Sequence, residues 1–351
     1  MRAPLLLLLA ACAESGPVRA TPQAELPVTR LAVPPSGRLY HGVYPGGFDV
    51  SEAAITPQNL AGYERAVERE VAWVYFSSEW GQSRAFPAKV ARWVRERGAV
   101  PYIRLMLRAD NCENCAESTF TLSAIGDGAF DADLRAWADA ARSFGTPLLL
   151  EYGTEVNGDW FQWNGEHNAP NGAAKFRRAY RHVVQLMRAR GANNISWVFH
   201  VAAQDDPETP ENRFEAYYPG SDVVDWLGVS VYGAQTPTEE TPPGFAAQMD
   251  EVVPRLAKLA PGKPVLVSEF GTTANHPAAR AAPWADAALR ALAGGRWPNV
   301  RGFAWWNEGW TNDDDARHNS ELRVQEVPEL AAVFRAKLGG SWVLDRPLFT
   351  R

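Results

Sequence analysis

The sequence predicts an α/β chain folded as a single (β/α)8 TIM barrel. Three observations predict it. Eight short, apolar, β-rich runs alternate with helical patterns. The length, 351 residues, suits one barrel with insertions. No break in composition divides the alternation into separate domains.

The strand candidates are "LYHGVY" (39–44), "VAWVYF" (71–76), "VPYIRLML" (100–107), "PLLLEYG" (147–153), "ISWVFH" (195–200), "WLGVSVY" (226–232), "PVLVSEF" (264–270) and "VRGFAWW" (300–306). Near-continuous apolar runs suit parallel strands covered by helices on their outer face. Between most of them lie helical patterns. Phe176, Tyr180, Val183, Val184 and Met187 fall on one face of a helix that ends at Gly191. Leu134, Trp137, Ala141 and Phe144 form a similar stripe, closed by Gly145. Segments 86–98, 283–295 and 327–340 also read as helices, as does 243–260, kinked or shortened at Pro254. The connection after the fifth strand is irregular. An open doubly wound sheet is the rival fold, but "YHGVYPGG" lacks the glycine spacing of its phosphate-binding turn.

The ends of the chain read differently. "MRAPLLLLLAAC" joins one Arg to an apolar run too short to cross a bilayer. Its Leu9-Ala10-Ala11-Cys12 resembles a bacterial lipobox, with Cys12 as the lipidated first residue of the mature chain. An ordinary secretory signal is the alternative; both imply export. Residues 1–12 are thus expected to be a lipoprotein signal peptide, 13–37 a flexible tether rich in Pro, Ala and Ser, and 38–351 the catalytic barrel. The product would be a membrane-anchored lipoprotein or a secreted protein, touching the membrane only through its lipid, with a monomer as the default.

Charge and cysteines narrow the partners. With 35 basic and 41 acidic residues, a net charge of −6 and no long basic run, nucleic acid is not expected. Fourteen Trp and ten Tyr suit stacking on sugar faces as well as core packing. Cys112 and Cys115 in "NCENC" have no second pair to complete a four-thiolate zinc site. In an exported protein they fit a short-loop disulfide, two reduced thiols being the alternative.

In such a barrel the chemistry belongs at the C-terminal ends of the strands. Glutamates stand at two of these ends: Glu155 after the fourth strand and Glu269 on the seventh. Two carboxylates across a barrel mouth can cleave a glycosidic bond by double displacement, one attacking the anomeric carbon and the other acting as acid, then base. "TEVNGDWFQW" and "PVLVSEFGT" resemble the acid/base and nucleophile segments of glycoside hydrolase family 26, among the clan A barrel hydrolases. The resemblance runs from about residue 38 to 340. It implies a retaining endo-glycanase that cuts β-linkages in a mannan, glucan or xylan and needs no cofactor. It implies Glu155 as acid/base, Glu269 as nucleophile and Trp160 as a sugar platform. Tyr232 would bond the nucleophile, and Trp306, with Trp305 as its alternative, would floor the reacting subsite. Two positions depart from the family. Thr154 stands where a His is usual, and Glu151 where an Arg is frequent, so the resemblance implies the reaction more than the sugar.

Other residues are candidates by position. His41, His200, Trp163 and Asn157 are expected to bind substrate, with Trp80 and Phe161 as further loop aromatics on the site face. Satisfied core or loop packing is the alternative for the histidines and the loop aromatics. By strand parity Glu151 lies deeper than Glu155, and Arg104 is its expected ion-pair partner. The acidic stretch 312–321 fails the EF-hand pattern and reads as a solvated loop. A non-catalytic cell-surface glycan-binding barrel is the alternative for the whole protein.

Overall fold

A computed structural model describes residues 30–350. Its eight main strands are β1 (Leu39–Tyr44), β2 (Trp73–Glu79), β3 (Val100–Met106), β4 (Leu148–Tyr152), β5 (Ile195–Ala202), β6 (Trp226–Tyr232), β7 (Val265–Gly271) and β8 (Val300–Trp306). All pair in parallel in chain order, and β8 returns to pair with β1, closing the barrel. The expected fold is the observed one.

The helical layer holds α1 (Pro57–Val67), α2 (Ala88–Glu96), α3 (Leu122–Gly126), α4 (Asp131–Phe144), α5 (Gly172–Ala189), α6 (Phe214–Tyr217), α7 (Phe245–Leu259), α8 (Ala281–Ala293) and α9 (Pro328–Leu338). The stripes read from sequence face inward: Leu134, Trp137, Phe176, Tyr180 and Met187 are all buried. Two differences stand out. Helix α1 went unassigned in the sequence, although Thr56 caps the Asn59 amide and Pro57 begins the helix. Helix α7 runs through Pro254 rather than stopping there. The irregular stretch after β5 yields only the single turn α6.

Residues 30–37, expected in the tether, pack on the base of the barrel. Leu31 bridges Phe349 and is buried, Ala32 N–H donates to Leu348 O, and the Arg30 guanidinium meets Asp225 at 3.2 Å. The signal segment 1–12 with Cys12, and residues 13–29 of the tether, lie outside the described residues. Among those described, no helix is long and apolar enough to cross a membrane.

Strand alternation decides what the barrel encloses. At its lower end the Trp73 indole fills the space that a Cβ on Gly42 or Gly302 would enter, at 2.1 and 2.2 Å. Tyr40 meets the same indole edge-on. Higher up the inner face becomes polar: Tyr75 on β2, Tyr102 and Arg104 on β3, Glu151 on β4 and His200 on β5 are all buried. On β7 the register with β6 slips by one residue, Val229 facing Val267 but Ser230 facing Glu269. This bulge lets two consecutive residues, Ser268 and Glu269, both reach the polar interior.

Candidate active site

The barrel mouth holds a cleft of about 660 Å³. Glu269 reaches it from β7 and is nearly buried. Tyr232 at the end of β6 donates to Glu269 Oε2 at 2.8 Å. Tyr75 Oη lies 3.0 Å from the other oxygen, Oε1. Burial pushes the Glu269 carboxyl up; Arg104 opposes this, and the charges of Glu155 and Glu151 add to it. The result is about 7.

Glu155 arrives by a sharp turn. Strand β4 stops at Tyr152, Gly153 adopts φ +71° and Glu155 itself φ +45°. A left-handed glutamate is uncommon and such strain gathers at functional sites. Phe176 occupies the place a Cβ on Gly153 would need, so only glycine fits that turn. The turn aims the Glu155 carboxylate into the cleft, where Trp160 Nε1 donates to its Oε2 at 2.8 Å. Asn157 pins the loop to β5 and its sequel, bonding Ala202, Gln204 and Asp205. Trp163 Nε1 donates to Thr154 O at 2.8 Å.

The sequence model of glycosyl hydrolase family 26 matches residues 128–273, a span that holds both glutamates. Over that span the chain is similar to glycosyl hydrolase family 26. It is 27% identical to endoglucanase H of Acetivibrio thermocellus over 218 residues, covering 61% of this chain and 23% of that one. It is 34% identical to the β-1,3-xylanase TXYA of a Vibrio species over 112 residues, 32% of this chain and 22% of that one. The chain therefore spans less than a quarter of the length of these curated relatives. Among solved structures, the β-mannanase BoMan26A of Bacteroides ovatus matches at a TM-score of 0.61 and 15% identity, over 88% of this chain and 90% of that one. The YdhT protein of Bacillus subtilis matches at 0.61 and 17%, over 89% and 88%. At such identities the likeness concerns the fold.

In this barrel the residues expected at the site divide sharply. Glu155, Glu269, Trp160, Tyr232, Trp306 and Phe161 line the cleft. Trp306 stacks on Tyr44 at 3.9 Å between ring centroids, while Trp305 points outward and packs on Phe270 and Phe334. His41 does not reach the cleft: the inner positions of β1 are Tyr40, Gly42 and Tyr44, so His41 faces outward and bonds Tyr63 of α1 at 2.8 Å. Burial lowers its imidazole to about 4. His200 does face inward but lies beneath the floor, fully buried, with Glu151, Thr154 and Ser230 taking both ring nitrogens. Asn157 is spent on Ala202 O, Gln204 O and the Asp205 carboxylate and Trp163 on Thr154 O, and Trp163 also stacks on Phe161. Trp80 packs on Phe120 and Phe130. These are supports of the loops rather than walls of the cleft.

Arg104 stands within ion-pair reach of Glu151, as expected, but is shared with two other carboxylates. Its Nε stands 3.9 Å from Glu151 and 3.8 Å from Glu269, but its hydrogen bond goes to Glu52. Glu52 went unnoticed in the sequence, and Glu308, at the end of the eighth strand, was given no role. Glu308 accepts from Tyr44 and from Trp306 Nε1, at 3.2 and 3.0 Å, and lines the cleft. Burial and the neighbouring Glu52 charge push its carboxyl up to about 8. Its place two residues past Trp306 was the available signal. Cys112 and Cys115 are bonded to each other, and Glu113 between them lies on the cleft rim. The loop at 312–321 is held by its own ion pairs, Asp313 with His318 and Asp315 with Arg317.

Proposed function

We propose that the protein is a retaining glycoside hydrolase that cuts internal β-linkages in a neutral polysaccharide. The observation that carries this is the pairing of Glu155 and Glu269 on one cleft, each oriented by an aromatic donor, Trp160 and Tyr232. Glu269 attacks the anomeric carbon while Glu155 protonates the leaving oxygen. The glycosyl–Glu269 ester is then hydrolysed by a water from which Glu155 removes a proton. Trp306 offers its ring to the reacting sugar. A second cavity of about 210 Å³ adjoins the first and shares Glu155 and Trp160 but not Glu269. Its position on the acid side suits the leaving part of the chain, so a polymer can continue on both sides of the cut.

Charge restricts the substrate. Glu52, Glu113 and Glu239 line the main cleft beside the two catalytic candidates, against Arg104 as the lining cation. Uronate-rich or sulfated glycans are therefore disfavoured. The relatives' names support neutral glucans and xylans, and the structural neighbours mannans. A panel of these polymers, with anomeric analysis of early products by NMR, tests the reading. Retained configuration is expected. Binding without turnover would favour a glycan-binding barrel, and inversion would reject double displacement.

We also propose export with a lipid anchor at Cys12, supported by the lipobox-like Leu9-Ala10-Ala11-Cys12. Mass spectrometry of the mature N-terminus is expected to find a diacylglyceryl cysteine; a free residue at another position would refute it.

A further inference from the structure

Three tryptophans line the cleft: Trp160, Trp306 and Trp310. Trp160 stands beside the acid/base candidate, and Trp306 offers its ring to the reacting sugar. Trp310 is needed for neither role, yet its ring is held firmly in the cleft wall.

Trp310 lies on β9 (Gly309–Trp310), which pairs antiparallel with β10 (Ser320–Glu321). Its neighbours are tied to the loop after β1. Gly309 N–H donates to Gly47 O, and Asp49 accepts from the Thr311 amide and hydroxyl at 2.8 and 2.6 Å. The Trp310 indole N–H donates to Asn312 Oδ1 at 2.9 Å, and the Asn312 amide donates in turn to Ser320 Oγ at 2.9 Å. The other two cleft indoles are tethered alike, Trp160 to Glu155 and Trp306 to Glu308. Tying the polar edge fixes the plane of the ring and leaves its faces as apolar surface. Trp306 has Tyr44 stacked on one face. Trp310 is half-buried, and among the described residues no aromatic ring stacks on it.

Its place along the cleft gives the ring a partner. Trp310, Thr311 and Glu308 line the main cleft, and none of them lines the smaller cavity on the acid side. Trp310 therefore lies away from the leaving group. It follows Trp306 by four residues, a separation of at most about 14 Å, which keeps it within a sugar or two of the reacting ring. Between the two rings Glu308 accepts once each from Tyr44 and Trp306 Nε1. A carboxyl oxygen accepts more than one hydrogen bond, so capacity is left for sugar hydroxyls.

We propose that Trp310 is the stacking platform for a sugar beyond the reacting one on the glycone side, with Glu308 accepting from the hydroxyls of the glycan that passes it. The site then reads at least two sugars on the non-reducing side of the cut. The glycone direction rests on Glu269 as nucleophile; the contact between Trp310 and a sugar does not.

Wild type, Trp310→Ala and Trp310→Phe are compared on dinitrophenyl β-glycosides whose glycone is one, two or three sugars long, in the gluco, manno and xylo series. Trp310→Ala is expected to lose roughly tenfold or more in kcat/KM on the longer glycones, mostly through KM, and to match wild type on the single sugar. Trp310→Phe keeps a ring and should lose less. An equal loss at every length would make Trp310 a packing residue of its loop, and no loss at any length would mean that no sugar reaches it; either overturns the proposal. Binding gives an answer without turnover. In wild type labelled with nitrogen-15 tryptophan, at least one of cellotetraose, mannotetraose, xylotetraose and laminaritetraose should shift the Trp310 indole signal, assigned with Trp310→Phe, whereas the free monosaccharides should not. A signal that none of the four moves overturns the proposal, also where Trp310→Ala fails to fold. A shifted Trp310 signal in a protein that hydrolyses no glycan would sink the catalytic reading and leave the platform standing.

Discussion

Trp73 and Glu269 stand on the inner face of one barrel, in surroundings that have almost nothing in common. Around Trp73 the lower barrel is filled by complementary shape, a large indole against the missing side chains of Gly42 and Gly302. Around Glu269 the upper barrel is filled with buried polar groups whose donors are unequally shared. Glu151 takes most of them, and its neighbour Glu269 is left short. A well-packed apolar layer lowers free energy without directing chemistry. In the polar layer above, burial pushes the Glu269 carboxyl up to about 7, and the proposed nucleophile is the carboxyl at that imbalance.

The comparison can be broken from either end. The largest effect is expected at the top: Glu269→Ala should abolish turnover while leaving the fold, read by circular dichroism, intact. Glu155→Gln should lower kcat by roughly 10²–10⁴-fold, with activated aryl glycosides losing least because their leaving group needs little proton. Unchanged activity in either variant would break the assignment. At the bottom, Trp73→Ala should cost about 3–5 kcal/mol of stability in denaturant unfolding. A loss under 1 kcal/mol would show that the lower layer is loosely packed.

The next effect is smaller and depends on pH. The Glu269 carboxyl titrates at about 7 in the folded chain, against 4.5 for an ordinary glutamate. Between those values the folded state holds the extra proton, so this group lowers stability as pH rises through that window. Glu269→Gln should therefore melt a few degrees above wild type at pH 8 and gain little at pH 4. An equal gain at both would contradict the burial argument. Glu151 has the opposite sign: held at about 2, it stabilises above about 4.5 and loses that contribution as pH falls toward 2. The smallest effect is expected of Trp306→Phe, which keeps a ring in the cleft but frees Glu308 from one donor; KM should rise several-fold with kcat little moved.

What the sequence made legible follows the same division. The eight strands are runs long enough to declare themselves, and their ends name Glu269, Tyr232 and Trp306; parity left Trp305 open beside Trp306, and no alternation predicts the β7 register slip that turns both Ser268 and Glu269 inward. Glu155 was legible through its motif rather than its geometry, since it follows a left-handed turn that no alternation predicts. His41 was misplaced by one residue of parity. His200 was correctly inward, but depth along a strand is not written in its neighbours. Asn157 and Trp163 looked like site residues because they flank the acid/base candidate; Asn157 is tied to β5 and the loop after it and Trp163 to Thr154 O, partners visible only once the chain is folded. Glu52 sits in a connecting loop without periodicity, and only its bond to Arg104 reveals it.

The most direct measurement is covalent trapping. Wild-type protein is incubated with a 2-deoxy-2-fluoro glycoside bearing an activated leaving group, then digested and mapped by mass spectrometry. The double-displacement account predicts one glycosyl adduct, on the peptide and at the carboxylate of Glu269. No adduct with an active enzyme, or an adduct on Glu151 or Glu308, would contradict it.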